Sequence, residues 1–304
     1  MLKLLKKRNF NDIFNDTFGF IRKHGGHYFL NYLIVNGIPI LLLLLSIYFL
    51  TGTIFNSVNL GFSPGSYNTN PFENIELNSM IVYLVLVVVI AIVASLVQYS
   101  YTPVYFTLYQ ENGGTNFTAK DIFNGIFSKY LGKIIIFALA ILLITIPVAI
   151  IAGIAIVILL ITIVGWLAPI FIINLWFSMS FIEYLNSDRN VFEALGRAFS
   201  LLWIRFWDHV GAVLLLSFLA LVIYYGVSLV LTTITGLVVG SFSSGDLLEG
   251  QLVLSFFILL ANQLASVFMQ ILMQISNMIV YFSAKEEKEN ISGLDQIEQI
   301  GLGE

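Results

Sequence analysis

Charged residues, histidines and cysteines are all scarce in this chain. Only 11% of its 304 residues are charged, three are histidine and none is cysteine, whereas 58% are hydrophobic. The lack of cysteine excludes disulfides, thiolate chemistry and iron–sulfur clusters. The apolar excess is larger than one soluble core can bury, so the composition predicts an all-α integral membrane protein. The modest net charge of −4 does not indicate nucleic-acid binding.

Long segments without a charged residue or histidine give the candidate spans: 28–72, 77–110, 134–182, 210–245 and 250–284. Each exceeds the roughly 20 residues that cross a hydrocarbon core about 30 Å thick. The third contains 49 residues, and one straight helix of that length would be about 73 Å long. We therefore predict a turn within Gly153–Gly165.

The prediction is then a bundle of six transmembrane helices arranged as three hairpins. The spans are about 28–51, 79–107, 133–155, 160–183, 210–235 and 251–283. They form a domain over residues 28–284, between an amphipathic N-terminal segment, 1–27, and a tail, 285–304. With six spans, all fourteen Lys and Arg residues fall on one side. The opposite loops carry only acidic charges: Glu73, Glu76, Asp246 and Glu249.

This charge distribution predicts the orientation of the chain. Loops rich in Lys and Arg remain in the cytoplasm, so we expect a multi-pass protein of the cytoplasmic (inner) membrane with both termini, and hence both end segments, cytoplasmic. A five-span alternative would place Arg189, Arg197 and Arg205 outside, which supports the predicted turn.

A short amphipathic pattern recurs ahead of the odd-numbered spans. The segment Asp12–Phe18 resembles Asp121–Phe127 and, more loosely, Asn190–Leu195. Apolar residues at helical spacing opposite polar ones predict interfacial helices at headgroup depth. Chance similarity remains the alternative, above all for the third copy. The candidate interfacial residues are Phe14, Phe18, Ile122, Phe123, Phe127, Phe192, Arg197, Phe199, Trp203 and Trp207.

A polar stripe follows one face of the last predicted span. At 100° per residue its members stay together over about four turns. Two interpretations are open: interhelical hydrogen bonds, with Asn174, Ser178 and Ser180 as partners, or a polar cavity or headgroup groove. The stripe consists of Asn262, Ser266, Gln270, Gln274 and Asn277.

Residues for catalysis or metal binding are few. His24, His27 and His209 lie at the predicted edges of spans, and Gly25-Gly26 argues against a helix that would bring the first two together. No catalytic residue, metal or cofactor is predicted, so the sequence favours a non-enzymatic protein. Ion-coupled transport also lacks support, because the predicted spans hold no ionisable group inside the membrane.

One stretch carries a resemblance to a known family. Trp166–Glu183, then Val191–Leu202 with its Glu-Ala-Leu-Gly-Arg-Ala-Phe-Ser-Leu run, then Arg205-Phe206-Trp207, resembles bacterial six-helix membrane proteins of unknown function. These are similar to the membrane domain ahead of some glycerophosphoryl diester phosphodiesterases. The resemblance implies a fold alone. A phosphodiesterase needs a separate soluble barrel, and the carotene oxygenase label of some relatives needs iron-ligating histidines that this chain lacks.

The expected function is therefore that of an accessory or scaffold protein. Its partners would be the lipid bilayer and a membrane or cytoplasmic protein, contacted through cytoplasmic interfacial helices. One alternative is a transporter of a lipid or small amphiphile that uses the polar face of the sixth span. A membrane-embedded enzyme is the second alternative.

Overall fold

The computed structural model describes residues 3–61, 77–160, 162, 165–241 and 247–291. Within these ranges the chain forms helices and no strand. An apolar medium offers no hydrogen-bond partner, so a chain that crosses it must pair its backbone N–H and C=O groups internally, as a helix does. The eight α-helices are α1 (Phe10–Gly61), α2 (Leu77–Glu111), α3 (Ala119–Asn124), α4 (Leu131–Leu159), α5 (Ala168–Leu185), α6 (Val191–Leu202), α7 (Phe206–Ser241) and α8 (Leu247–Glu289).

In the part of the chain that the structure describes, six helices are long and apolar enough to cross a membrane, which confirms the predicted number and a multi-pass membrane protein. Between the third and fourth spans, α4 ends at Leu159 and a 3₁₀ turn begins at Gly165, inside the predicted window. The loop with Glu73 and Glu76, Asp246, and the tail beyond residue 291 lie outside the described residues. The spans are Phe10–Gly52, Met80–Glu111, Leu131–Leu159, Gly165–Leu185, Phe206–Ile234 and Ile258–Glu289.

The N-terminal segment is not separate from the first span. α1 runs without interruption from Phe10 to Gly61, so the expectation that Gly25-Gly26 prevents a helix is wrong. Each glycine in a helix costs about 1 kcal/mol relative to alanine. Phe20 and Tyr28 are fully buried on either side of the pair, and their burial outweighs that cost, since one large side chain contributes roughly 1.5–3 kcal/mol.

α3 begins with a capping box and passes directly into a π-helical turn. The Thr118 backbone N–H and hydroxyl both donate to Asp121 Oδ2, at 2.8 Å each, and these bonds lower the pKa of Asp121. Residues Gly125–Lys129 form the π turn, closed by the Tyr130 N–H to the Gly125 carbonyl at 2.9 Å. This turn sets the position of Lys129 ahead of α4.

α6 is a separate helix with defined ends. Asn190 Oδ1 accepts from the Glu193 N–H at 2.9 Å and Glu193 Oε2 accepts from the Asn190 N–H at 3.0 Å, which is a reciprocal capping box. Beyond α6, Arg205 adopts a left-handed φ of 48° and its side chain bonds Asp208 at 2.9 Å. The chain thereby turns into α7.

The described chain falls into two compact units. The first draws on residues within 1–32, 99–223 and 268–304, and the second on residues within 33–98 and 224–267. The centre of the first unit is an aromatic cluster in which every side chain is fully buried: Phe20, Tyr28, Tyr101, Tyr105 and Phe106. In the second unit, apolar side chains such as Ile38 and Leu229 are exposed, as suits a surface surrounded by hydrocarbon.

Gly125 leaves no room for a side chain. A Cβ at this position would lie 2.7 Å from Val104 Cγ1, whereas a Cβ at Gly132 would meet nothing within 4 Å. Gly125→Ala should therefore destabilise the protein by about 1–3 kcal/mol through overpacking. Gly132→Ala, the matched control in α4, should be neutral or stabilising by roughly 0.5–1 kcal/mol. Thermal unfolding in detergent measures both, and equal melting temperatures would contradict the close approach.

Candidate functional site

The polar stripe of the last span lies on α8 and contacts other helices at two of its five positions. The buried Asn277 donates from Nδ2 to Asn174 Oδ1 at 2.9 Å and to Ser178 Oγ at 3.1 Å. One turn earlier, Gln274 Oε1 accepts a hydrogen bond from Thr102 Oγ1. These amides join α8 to α5 and α2.

Gln274 ends a hydrogen-bond chain that starts in the aromatic cluster. Because Thr102 donates its proton to Gln274, the Tyr28 hydroxyl must be the donor in its 2.6 Å bond with Thr102 Oγ1. Tyr101 Oη in turn donates to the Tyr28 carbonyl at 2.8 Å. The chain links α1, α2 and α8 without using an ionised group.

At the other three positions of the stripe, the side chain forms no hydrogen bond to another helix among the residues that the structure describes. Asn262 Nδ2 bonds the Ile258 carbonyl at 3.0 Å, and Ser266 Oγ bonds the Gln263 carbonyl at 2.8 Å, so both bonds stay inside α8. Gln270, halfway along the stripe, is exposed. Only the C-terminal part of the stripe therefore forms hydrogen bonds to the described residues of other helices.

α6 has two different apolar faces. One face packs against α5 and is buried, through residues that include Ala194, Ala198 and Leu201. The predicted interfacial residues lie mainly on the other face, where Phe192 is 71% exposed and Phe199 is also exposed, and the exposed Trp203 follows directly after the helix. At the start of α7, Trp207 is 82% exposed. Arg197 instead forms an ion pair with Glu289 of α8.

The remaining candidate interfacial residues divide between surface and core. Phe14 and Phe18 lie on the N-terminal part of α1 with ring centroids 5.0 Å apart, and Phe18 is exposed. On α3, Ile122 is fully buried while Phe123 is exposed. The Phe123 ring lies 4.4 Å from that of Phe127. Aromatic pairs on the surface thus mark the first two segments as well.

The histidines make hydrogen bonds within the protein. His27 Nε2 lies 2.9 Å from the Phe117 carbonyl, which can only accept, so this nitrogen carries the proton. Its Nδ1 lies 2.9 Å from the Tyr105 hydroxyl oxygen. His209 Nε2 lies 3.3 Å from Ser283 Oγ. Over the ranges that the structure describes, no three potential metal ligands come together.

A buried carboxylate was missed by the sequence analysis. Glu183, at the end of α5, is 2% exposed. Its Oε1 lies 2.6 Å from Arg189 Nη1, and its Oε2 accepts from the Tyr281 hydroxyl at 2.7 Å. Lys285 Nζ is 3.9 Å from Oε2. The only sequence signal is an acidic residue that ends an apolar run and has an arginine six positions later.

Next to this carboxylate is a polar pocket of about 610 Å³. It lies where α2 and α5 end and α4 begins, and Lys285 of α8 closes one side. A hydrogen bond with Tyr130 and the nearby Glu111 raise the pKa of Lys129, so this ammonium group remains charged. The lining residues are Thr107, Gln110, Glu111, Lys129, Tyr130, Lys133, Leu185, Asn186, Ser187, Asp188 and Lys285.

A second depression, of about 470 Å³, is entirely apolar. It lies among α4, α5 and α6, and its lining includes Ile151, Pro169 and Leu202. Trp176 and Phe199 also line it, with ring centroids 5.9 Å apart. Trp176 is held by a 3.0 Å bond from Nε1 to the Leu195 carbonyl.

Comparison with known proteins places no further constraint on the site. No protein-family profile, no curated protein and no solved structure matches this chain. What remains of the family resemblance is therefore six long apolar helices.

Gln274 and Gln270 should respond differently to the same substitution. Gln274→Leu leaves Thr102 without its acceptor, which should cost about 0.6 kcal/mol and at most roughly 2, the range for interhelical hydrogen bonds in membranes. Gln270→Leu, on the same face one turn away, should leave the melting temperature in detergent unchanged. A larger loss of stability for Gln270→Leu would show that the stripe works as one unit.

Proposed function

We propose that the protein is a non-enzymatic scaffold or accessory protein of the cytoplasmic membrane that contacts lipid through interfacial helices. The observation that carries this proposal is α6, with one face packed on α5 and the other presenting exposed Phe192 and Phe199, followed by the exposed Trp203 at its C-terminal end. Aromatic side chains concentrate where hydrocarbon meets headgroups. Since the packed face already secures α6 to the bundle, the exposed aromatics remain for the bilayer.

The apolar groove beside α6 supports the same function. Its lining exposes no polar atom, because the one indole N–H, that of Trp176, is bonded to the Leu195 carbonyl. A lipid acyl chain is the ligand that this chemistry favours, because the groove lies on candidate membrane spans. A partner protein, in the membrane or in the cytoplasm, is the other contact that we propose for the exposed α6 face.

The finer topology belongs to this proposal. Three hairpins, each preceded by an amphipathic segment, and both termini in the cytoplasm follow from the charge pattern. In the first hairpin, the amphipathic segment would be the N-terminal part of the continuous α1.

Lipid or amphiphile transport through the polar stripe is the less supported alternative. It would require Gln274 and Asn277 to release their present partners on α2 and α5. An enzymatic function would need a reactive group, and His27 uses both ring nitrogens in internal contacts. Both alternatives stand as predictions without a supporting contact.

Quenching of tryptophan fluorescence by brominated lipids tests the lipid contact. A variant with Trp203 as its only tryptophan, the other three changed to Phe, is placed in nanodiscs. Lipids brominated near the carbonyl end of the chain should quench Trp203 more strongly than lipids brominated near the methyl end. A Trp176-only variant is the control, because Trp176 is partly buried between α5 and α6. Stronger quenching of Trp203 by aqueous iodide than by either lipid would refute the proposal.

The absence of native cysteine makes the orientation directly measurable. Single cysteines at Lys120 and Ser66 place one thiol on each predicted side of the membrane. An impermeant maleimide should label Ser66→Cys in intact cells and Lys120→Cys only after permeabilisation. The reverse labelling would invert the topology, and labelling of both in intact cells would contradict the six-span arrangement.

A further inference from the structure

The polar pocket lies at the ends of three candidate membrane spans. Glu111 and Leu185 are the last residues of two candidate spans, and Leu131 is the first residue of a third. Lys129 and Lys133, on either side of Leu131, both line the pocket. A ligand in this pocket is therefore held beside the ends of the spans and not midway along them.

Lys133 organises the pocket floor. Its ammonium group lies 3.1, 3.2 and 2.8 Å from the carbonyl oxygens of Tyr184, Leu185 and Ser187. These carbonyls belong to the C-terminal end of α5 and the turn after it, where a cation complements the helix dipole. All three N–H donors of Lys133 are therefore directed at the backbone, which makes Lys133 a positioning residue.

Lys129 and Lys285 keep capacity for a ligand. Lys129 pairs with Glu111 at 3.0 Å, but the two side chains are 54% and 48% exposed, and exposed pairs contribute only about 0–1 kcal/mol. An incoming anion can displace Glu111 at little cost. Lys285 directs one donor to Tyr281 Oη at 3.3 Å, and the carboxylate of Glu183 already has Arg189 and Tyr281 as closer partners.

The net charge of the pocket lining indicates which class of ligand it can bind. Three ammonium groups line the pocket, and Glu111 and Asp188 are the two carboxylates opposite them, so the lining carries one net positive charge. The side-chain amides of Gln110 and Asn186 add neutral donors at the mouth. A compact group with one negative charge and several acceptor oxygens complements this set, and a phosphodiester has both properties.

We propose that this pocket binds the phosphate group of an anionic phospholipid headgroup, with Lys129 and Lys285 as its charged contacts. The same chemistry would accept a free phosphate ester, so the source of the ligand has to be separated by experiment. The inference goes beyond the α6 lipid contact and uses none of the α6 aromatic residues. Loss of one activity would therefore leave the other intact.

The test is native mass spectrometry of the delipidated full-length protein in detergent, titrated with phosphatidylglycerol or phosphatidylcholine. We expect saturable binding of one phosphatidylglycerol and much weaker binding of the zwitterionic lipid. Lys129→Met with Lys285→Met should reduce phosphatidylglycerol affinity roughly fivefold or more, from two lost charge contacts. Lys288→Met is the matched control, since Lys288 lies on α8 one turn beyond Lys285 and bonds Ser200 outside the pocket.

A variant with increased affinity separates the loss of a ligand contact from the loss of folding, because an unfolded protein cannot bind more tightly. Asp188→Asn removes an exposed carboxylate from the lining and should raise phosphatidylglycerol affinity about two- to fivefold. Equal affinity in the lysine variants, equal loss in Lys288→Met, or no gain in Asp188→Asn would overturn the proposal. A competition arm with glycerol 3-phosphate identifies the source: competition at micromolar concentration assigns a free phosphate ester, and none at millimolar concentration assigns the lipid.

Discussion

The constraint on which this structure depends is that hydrocarbon offers no hydrogen-bond partner. Backbone groups meet it by forming helices, and small polar side chains meet it within the same helix. The hydroxyls of Ser46, Thr145, Thr232 and Thr233 each bond the carbonyl four residues earlier, at 2.7–2.9 Å. Such residues need no neighbouring helix, and none of these four is buried. Longer amides reach further, and Asn277 and Gln274 use that reach to join helices.

Burying an ionised group costs more free energy than burying a neutral polar group. A carboxylate such as Glu183, buried at the end of α5, is stable only if its charge and its acceptor oxygens are matched. Arg189, Tyr281 and Lys285 supply these contacts from two other segments of the chain. The ends of α5 and α8 are thereby fixed to each other. These contacts also hold the part of α8 that carries Lys285, which lines the polar pocket.

The sequence predicts the parts of this fold that depend on composition. The number of spans followed from charge-free segments, and the interruption between Leu159 and Gly165 followed from helix length. The continuity of α1 through Gly25-Gly26 did not, because local propensity for a helix is weak beside the burial of Phe20 and Tyr28. Contacts between distant residues, such as Arg197 with Glu289, leave no local pattern at all.

The sequence also predicts only part of the candidate site. The polar stripe was visible as a helical repeat, yet only the partners on α2 and α5 distinguish Gln274 and Asn277 from the exposed Gln270. The pocket was invisible, since its lysines come from the π turn, α4 and α8. Their proximity depends on the tertiary fold and on the turn that places Lys129.

The net charge of the chain bears on how such a pocket attracts an anion. A protein with net charge −4 exerts no long-range attraction on anionic lipid, and its field is screened beyond about 8 Å at physiological salt. In the proposed phospholipid site, attraction would then act at short range, from ammonium groups held at the ends of the spans. Lys129 and Lys285 meet this requirement because the folded chain holds them there. Selectivity for anionic lipid would thus depend on pocket geometry and not on overall charge.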